Sequence, residues 1–174
     1  YPGIVDLTAV IGDPQVRNWG TIGGSVAHAD PASDWPALLL AVNARIVCRS
    51  QAGERTIDAR DFFLDTFTTA IEPTEVLTEI RIRRRPRGSG AAYTKLERKV
   101  GDFSTCGSAV VVMLAPDGTM EQVGIGLTAV AESPFAATDA EQALTGARPS
   151  EEMFRQGAAA AAAQDSEVPG DAVD

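Results

Sequence analysis

The residues best suited to binding chemistry are Thr21-Ile22-Gly23-Gly24-Ser25. Successive backbone amides with little side-chain obstruction, flanked by two hydroxyls, suit phosphate or pyrophosphate oxygens. The same five residues also suit a tight turn between a strand and a helix, so alone they leave both readings open. No Lys follows the glycines to meet β- and γ-phosphates, and the spacing is not that of a Rossmann fingerprint, so NTP hydrolysis is disfavoured. A second pattern, Gly124-Ile125-Gly126-Leu127-Thr128-Ala129, mimics that fingerprint. It reads as a strand, because a dinucleotide motif needs a helix at once and Ser133-Pro134 interrupts.

Other chemistry-bearing residues point to fewer possibilities. His28 is the sole histidine and no Ser sits in a nucleophile-elbow sequence, so a hydrolytic triad is disfavoured and His28 is expected to pack locally. Cys48 and Cys106 cannot by themselves ligate a [2Fe–2S] cluster, and no short-spaced ligand pair marks a metal site, so none is assigned. Arg81, Arg83, Arg84, Arg85 and Arg87 read first as a solvated strand edge or linker. Docking of an acidic partner face or of cofactor phosphates is the alternative.

Composition narrows the class. Of 174 residues 44% are hydrophobic and 22% charged, as in ordinary globular proteins. A formal charge of −9 argues against a nucleic-acid footprint, which works by neutralising phosphates. The charge is uneven: residues 1–87 hold ten Lys and Arg against eleven Asp and Glu, whereas 88–174 hold five against thirteen, which suggests two units. No apolar run approaches the roughly 18 to 20 residues needed to span a bilayer, and the first residues lack the features of a signal peptide. A cytoplasmic protein without a membrane span is expected. Tyr1 is not a methionine, which suggests part of a longer chain.

The elements that must position these residues follow from pattern. A strand is expected over 4–11, closed by Gly12-Asp13-Pro14, then a glycine-rich loop over 17–25. Ser33 or Asp34 caps a helix that tolerates Pro36 in its first turn and has 37–42 as its body. A hairpin over 45–49 and 54–57 turns at Gln51-Ala52-Gly53, a short helix covers 58–67, and Val76, Thr78, Ile80 and Ile82 alternate as a half-buried strand. The Pro, Gly and Arg stretch over 84–90 coincides with the charge step, dividing the chain into 1–86 and 87–174. The second unit reads as strands over 92–100, 108–114 and 120–130, with a turn at Pro116-Asp117-Gly118-Thr119. Helices over 139–144 and 151–163 follow, the last capped by Ser150, and 168–174 is expected to fray.

Several segments, in this order, resemble the flavin subunit of molybdenum hydroxylases, as in the medium subunit of aerobic carbon monoxide dehydrogenase and the flavin domain of xanthine dehydrogenase. Val16-Arg17-Asn18-Trp19-Gly20-Thr21-Ile22-Gly23-Gly24-Ser25, followed by Ala29-Asp30-Pro31-Ala32-Ser33-Asp34-Trp35-Pro36-Ala37-Leu38, is similar to the family's second FAD-binding stretch and the helix after it. Glu75-Val76-Leu77-Thr78-Glu79-Ile80-Arg81-Ile82 resembles the strand closing the flavin-binding subdomain. Ala92-Tyr93-Thr94-Lys95-Leu96-Glu97-Arg98-Lys99-Val100-Gly101-Asp102-Phe103 resembles the start of the C-terminal domain.

The resemblance implies an α+β FAD-binding subdomain followed by a small antiparallel sheet packed with helices. It implies that Thr21, Ile22, Gly23, Gly24 and Ser25 wrap FAD with amides and hydroxyls, that Asp34 bonds its sugar-like portion, that Ile11 and Leu77 pack on it, and that Lys95 approaches it. The family's first glycine-rich loop belongs to an N-terminal subdomain, and nothing before Tyr1 is available to supply it. Ser25 leans toward the carbon monoxide dehydrogenase branch, since xanthine dehydrogenases tend to carry Asn there. The implied partners are a molybdenum-cofactor large subunit, a [2Fe–2S] small subunit and an external electron acceptor; no residue of this chain need be catalytic. Two rival readings are a cofactor-free assembly or binding module and a flavin oxidase that works without molybdenum partners.

Overall fold

The computed structural model describes residues 2–84 and 87–165. Helices α1 (Pro2–Val10), α2 (Pro14–Trp19), α3 (Ile22–His28) and α4 (Asp34–Ala41) come first. Strands β1 (Arg45–Ser50) and β2 (Gly53–Asp58), a 3-10 turn at Ala59–Asp61, the short strands β3 (Phe63–Asp65) and β4 (Thr68–Thr69), and β5 (Val76–Arg81) follow. Strands β6 (Ser89–Leu96), β7 (Cys106–Leu114), β8 (Met120–Thr128) and β9 (Phe135–Ala136) then lead to helices α5 (Thr138–Leu144) and α6 (Glu151–Asp165). Among the described residues no helix is long and apolar enough to cross a membrane.

The strands form an antiparallel sheet of order β2-β1-β5, the β3-β4 pair, and an antiparallel sheet of order β6-β7-β8-β9. Helix α4 lies between the larger sheets, which explains why Asp-Trp-Pro-Ala-Leu-Leu-Leu-Ala is apolar nearly all round rather than amphipathic. Leu39 and Leu40 enter one core with Val26, Ile46, Cys48 and Phe62. Ala37, Leu38 and Ala41 enter another with Leu7, Tyr93, Ala109 and Val111. On the far face of the second sheet, α5 and α6 cover Val123, Ile125 and Leu127, so β8 is buried over most of its length.

Backbone contact between α4 and β8 is unusually close. A Cβ on Gly124 would stand 1.9 Å from the Ala41 carbonyl oxygen, and one on Gly126 the same 1.9 Å from that of Ala37. The decoy glycines are thus strand residues, as the reading of 124–129 expected, and they are what lets the helix seat.

Several local expectations are corrected. Residues 4–10 belong to helix α1, not a strand: Ile4 and Leu7 face the core with Ile11 just past the helix end, while Val5 is exposed. An apolar run this short does not distinguish the two periods. The loop over 17–25 is largely helical, with Asp13 Oδ1 accepting from the Val16 amide at 2.9 Å to cap α2. Of the helix over 58–67 only a 3-10 turn forms before the β3-β4 pair. The alternation of Val76, Thr78, Ile80 and Ile82 is broken by a bulge opposite Val47 and Cys48, so Leu77 and Ile80 turn inward together. Strand β6 starts at Ser89 and ends at Leu96, earlier than expected, and β9 lacks any sequence signal. The hairpin β1-β2, the turn before β8 and the Ser150 cap, whose Oγ accepts from the Met153 amide at 3.2 Å, form as read. The break over 84–90 lies partly, and the tail 168–174 wholly, outside the described residues.

Candidate functional site

A cleft of about 370 Å³ opens at the N-terminal end of α4. Three consecutive turns of chain build its mouth. Asp13 and Pro14 start α2; Gly20, extended at φ −72 and ψ 149, stops it; and Thr21 starts α3, its Oγ1 accepting from the Gly24 amide at 3.0 Å. Because Gly24 is held by Thr21 and the Ser25 amide by the Thr21 carbonyl, the remaining first-turn amides, at Ile22 and Gly23, have no acceptor within the helix. Arg17 pins the end of α1 by donating from Nη1 to the carbonyls of Ile11 at 2.6 Å and Gly12 at 2.9 Å.

The polar heart of the cleft is Asp34. Its Oδ1 accepts from the Tyr93 hydroxyl and, at 2.9 Å, from Ser104 Oγ, while Oδ2 lies 3.2 Å from Lys95 Nζ. Lys95 also donates to the Val10 carbonyl at 3.1 Å and lies 3.5 Å from Glu97 Oε2. Both side chains are buried, 8% exposed for Asp34 and 3% for Lys95, so the pair works at reduced dielectric. Burial and the adjacent Asp34 carboxylate push the Tyr93 phenol far above its ordinary value, which keeps it a hydrogen-bond donor at any physiological pH. With Oδ1 filled twice and Oδ2 once, Asp34 keeps one acceptor position for a ligand.

Of the residues singled out in the sequence, Ile11, Thr21, Ile22, Ser25, Asp34 and Lys95 line this cleft together. Gly23, Gly24 and Leu77 do not. A Cβ on Gly23 would meet Leu77 Cδ2 at 3.8 Å, and one on Gly24 would meet the Thr21 hydroxyl at 3.0 Å. Ser25 Oγ and Ser33 Oγ share a hydrogen bond of 2.7 Å that ties α3 to the start of α4. Sequence reasoning missed Arg17, Trp35 and Phe103 as lining residues, and Tyr93 and Ser104 as holders of Asp34. Tyr93 stands two residues before Lys95 on one face of β6, a spacing that carried the signal. His28 packs locally, its ring 5.0 Å from that of Phe67. Among the described residues no group of three His, Cys, Asp or Glu is placed to hold a metal ion.

The donor set fits part of a flavin dinucleotide. Apolar walls from Ile11, Ile22, Trp35 and Phe103 border a buried cation, a hydroxyl pair and the unpaired Ile22 amide at the start of α3, the mixture that ligand clefts of this size use to bind and orient. These features define an α+β protein with a cleft suited to a dinucleotide-type cofactor.

Comparison with known proteins agrees. Residues 1–84 match the family described as FAD binding domain in molybdopterin dehydrogenase, and residues 91–173 the CO dehydrogenase flavoprotein C-terminal domain. The chain is 43% identical over 145 residues to the carbon monoxide dehydrogenase medium chain of Afipia carboxidovorans, covering 83% of this chain and 50% of that one. It is 42% identical over 162 residues to the medium chain of Hydrogenophaga pseudoflava, covering 93% and 56%. A solved structure of the Hydrogenophaga pseudoflava carbon monoxide dehydrogenase lacking the Mo-pyranopterin moiety superposes with a TM-score of 0.89 at 43% identity, over 99% of this chain and 58% of that one. The chain thus spans about half the length of the curated relatives it matches. It belongs to the FAD-binding medium subunits of the molybdenum hydroxylase family, whose cofactor is FAD.

Proposed function

We propose that this chain holds FAD for a cytoplasmic molybdenum-containing dehydrogenase, with residues 1–86 supplying the second part of the FAD site and 87–174 the C-terminal flavoprotein domain. The observation that carries this reading is the convergence of Thr21, Ile22 and Ser25 from α3, Asp34 from α4 and Lys95 from β6 on one cleft. FAD, when bound, would supply the electron chemistry between the iron–sulfur clusters of a small subunit, fed by a molybdenum-cofactor large subunit, and an external acceptor.

The protein residues bind and orient. The unpaired Ile22 amide at the start of α3 faces anionic oxygens, and Thr21 keeps that turn in register. Asp34 offers its free acceptor position to a sugar-like hydroxyl, while Tyr93 and Ser104 fix its carboxylate. Lys95 places a buried positive charge beside the cleft, and Ile11 closes an apolar wall. Gly23 and Leu77 offer a second contact surface outside the cleft, and Gly24 serves the site by donating its amide to Thr21.

The protein, expressed in its own cell, tests the reading. It is expected to carry visible flavin absorption and to release FAD on denaturation, and Thr8→Trp, which fills the cleft while leaving its polar groups in place, is expected to lower the flavin-to-protein ratio with the fold retained. An unchanged ratio in Thr8→Trp overturns the assignment of this cleft. Co-purification of a three-chain complex, with iron and molybdenum on the other chains, supports the electron path. Stoichiometric iron or molybdenum on this chain alone contradicts it.

A further inference from the structure

The buried charge beside the cleft is unevenly matched. Tyr93, Lys95 and Glu97 follow one another at period two along β6 and just past its end, on the side opposite the exposed Leu96. Lys95 Nζ lies 3.2 Å from Asp34 Oδ2 and 3.5 Å from Glu97 Oε2, so one ammonium faces two carboxylates. Two of its three protons are placed, one on the Val10 carbonyl and one on Asp34.

The two carboxylates are not equivalent. Asp34 is held by the Tyr93 hydroxyl and Ser104 Oγ as well as by Lys95. The Glu97 side chain is only 18% exposed, and its Oε2 is buried with no hydrogen-bond donor among the described residues, so its tie to Lys95 is one of charge alone. A buried carboxylate oxygen without a donor costs stability, and a glutamine of the same length would fill the position at lower cost. Packing therefore gives no reason for a charge here; what the charge acts on is Lys95.

We infer that Glu97 is a positioning residue of the cofactor site: it shares Lys95 with Asp34, so that this end of the cleft takes an uncharged, hydroxyl-bearing part of the dinucleotide rather than its phosphates. An ammonium paired to Asp34 alone would neutralise that carboxylate and weaken the bond its remaining acceptor position makes to a ligand hydroxyl. Drawn partly toward Glu97, the ammonium leaves that bond charge-assisted. A phosphate seated at Lys95 would meet two carboxylates for one cation, whereas the unpaired Ile22 amide at the start of α3 carries no such opposition. The inference rests on the reading of the cleft as an FAD site.

Glu97→Gln keeps the length and removes the charge. The protein, expressed in its own cell, is stripped of flavin and titrated with FAD by fluorescence quenching. The dissociation constant is expected to rise about tenfold, the difference between a hydrogen bond to a charged acceptor and one to a neutralised acceptor. The Tm of the stripped protein is expected to stay level or rise, because a buried charge without a donor has gone. Glu97→Asp, which restores the charge, is expected to bind FAD more tightly than Glu97→Gln. A residue that merely supports the fold would lower Tm and affinity together, and that result overturns the proposal. An unchanged or tighter dissociation constant in Glu97→Gln overturns it too, as does a Glu97→Asp protein that binds no better than Glu97→Gln. Wild-type protein that carries and takes up no flavin refutes the cofactor reading itself, whereas equal binding by wild type and Glu97→Gln refutes only the role of Glu97.

Discussion

Replacing Gly126 by alanine probes the contact on which the cleft depends. The new Cβ would stand 1.9 Å from the Ala37 carbonyl oxygen, 2.8 Å from its carbon and 3.0 Å from its Cα, all backbone atoms of α4. No side chain is there to swing aside, so the helix must recede from β8 by about 1 Å or the strand must buckle, each of which opens packing around Ala37 and Leu38. Overpacking of this kind costs about 3 kcal/mol, the upper part of the usual range, because backbone rather than a rotamer must move. For a domain of this size that corresponds to a fall in Tm of roughly 6–12 °C. Gly124→Ala meets the Ala41 carbonyl at the same 1.9 Å, at the other end of the helix. The two variants are expected to be similarly destabilised, but Gly126→Ala to lose more FAD, since Ala37 lies one turn from Asp34 and Ala41 two. The double variant is expected to cost less than the two singles together, because one displacement of α4 relieves both clashes. Gly90→Ala in β6, where a Cβ would meet nothing within 4 Å, is the control and should be neutral. Thermal unfolding and the flavin-to-protein ratio of the full-length chain decide the matter. A Gly126→Ala protein with unchanged Tm and full flavin would refute the claim that α4 is seated by backbone contact.

Further outcomes follow from the same structure. Asp34→Ala leaves the buried Lys95 ammonium without its main counter-charge and strips Tyr93 and Ser104 of their acceptor, so urea denaturation should show a loss of about 3–5 kcal/mol. Thr21→Ala should lower stability by about 1 kcal/mol through loss of the α3 cap, with Thr21→Ser close to wild type by thermal melting. Arg55 holds the Glu75 carboxyl down at about 2, below its unfolded-state value, so its stabilising effect is complete above that unfolded value and is lost as pH falls through about 2. The Tm deficit of Glu75→Gln at neutral pH should therefore shrink across that acid window; a deficit independent of pH would contradict the ion pair.

What the sequence disclosed and what it withheld separate along physical lines. The β1-β2 hairpin, the β7-β8 hairpin and helix α4 were legible because turn residues and caps are local signals, and the apolar run of α4 needs burial on both sides wherever it sits. Residues 4–11 were misread because Ile, Val and Leu at these positions satisfy a strand by composition and a helix by position; only the second sheet and α4, far off in sequence, choose between them. The bulge in β5 was invisible because it is a property of the β1 partner, not of β5 alone. At the site, the glycine pair drew attention to the right turn, but the side chains that organise it, Tyr93 and Ser104, come from β6 and the loop before β7, and nothing in their own neighbourhoods names Asp34 as their acceptor.

That last point bears on how the cleft comes into being. Asp34 belongs to the helix before the first sheet, whereas Lys95, Tyr93 and Ser104 belong to the second sheet and its loop, so the buried charge of each side is satisfied only when the sheets close on α4. The same holds at Arg60, whose Nη2 meets Glu141 Oε1 at 2.6 Å while that oxygen accepts from the Ile125 amide at 2.8 Å. Either element alone would bury an unpaired charge, a cost of several kcal/mol that favours exposure over a misdocked arrangement. The ion pairs therefore act less as glue than as a register, allowing one placement of β6 and β8 against α4 and penalising the neighbours. Because Lys95 and Thr21 reach the same cleft only in that placement, the proposed FAD site predicts that a variant which keeps its secondary structure yet loses that register loses flavin first.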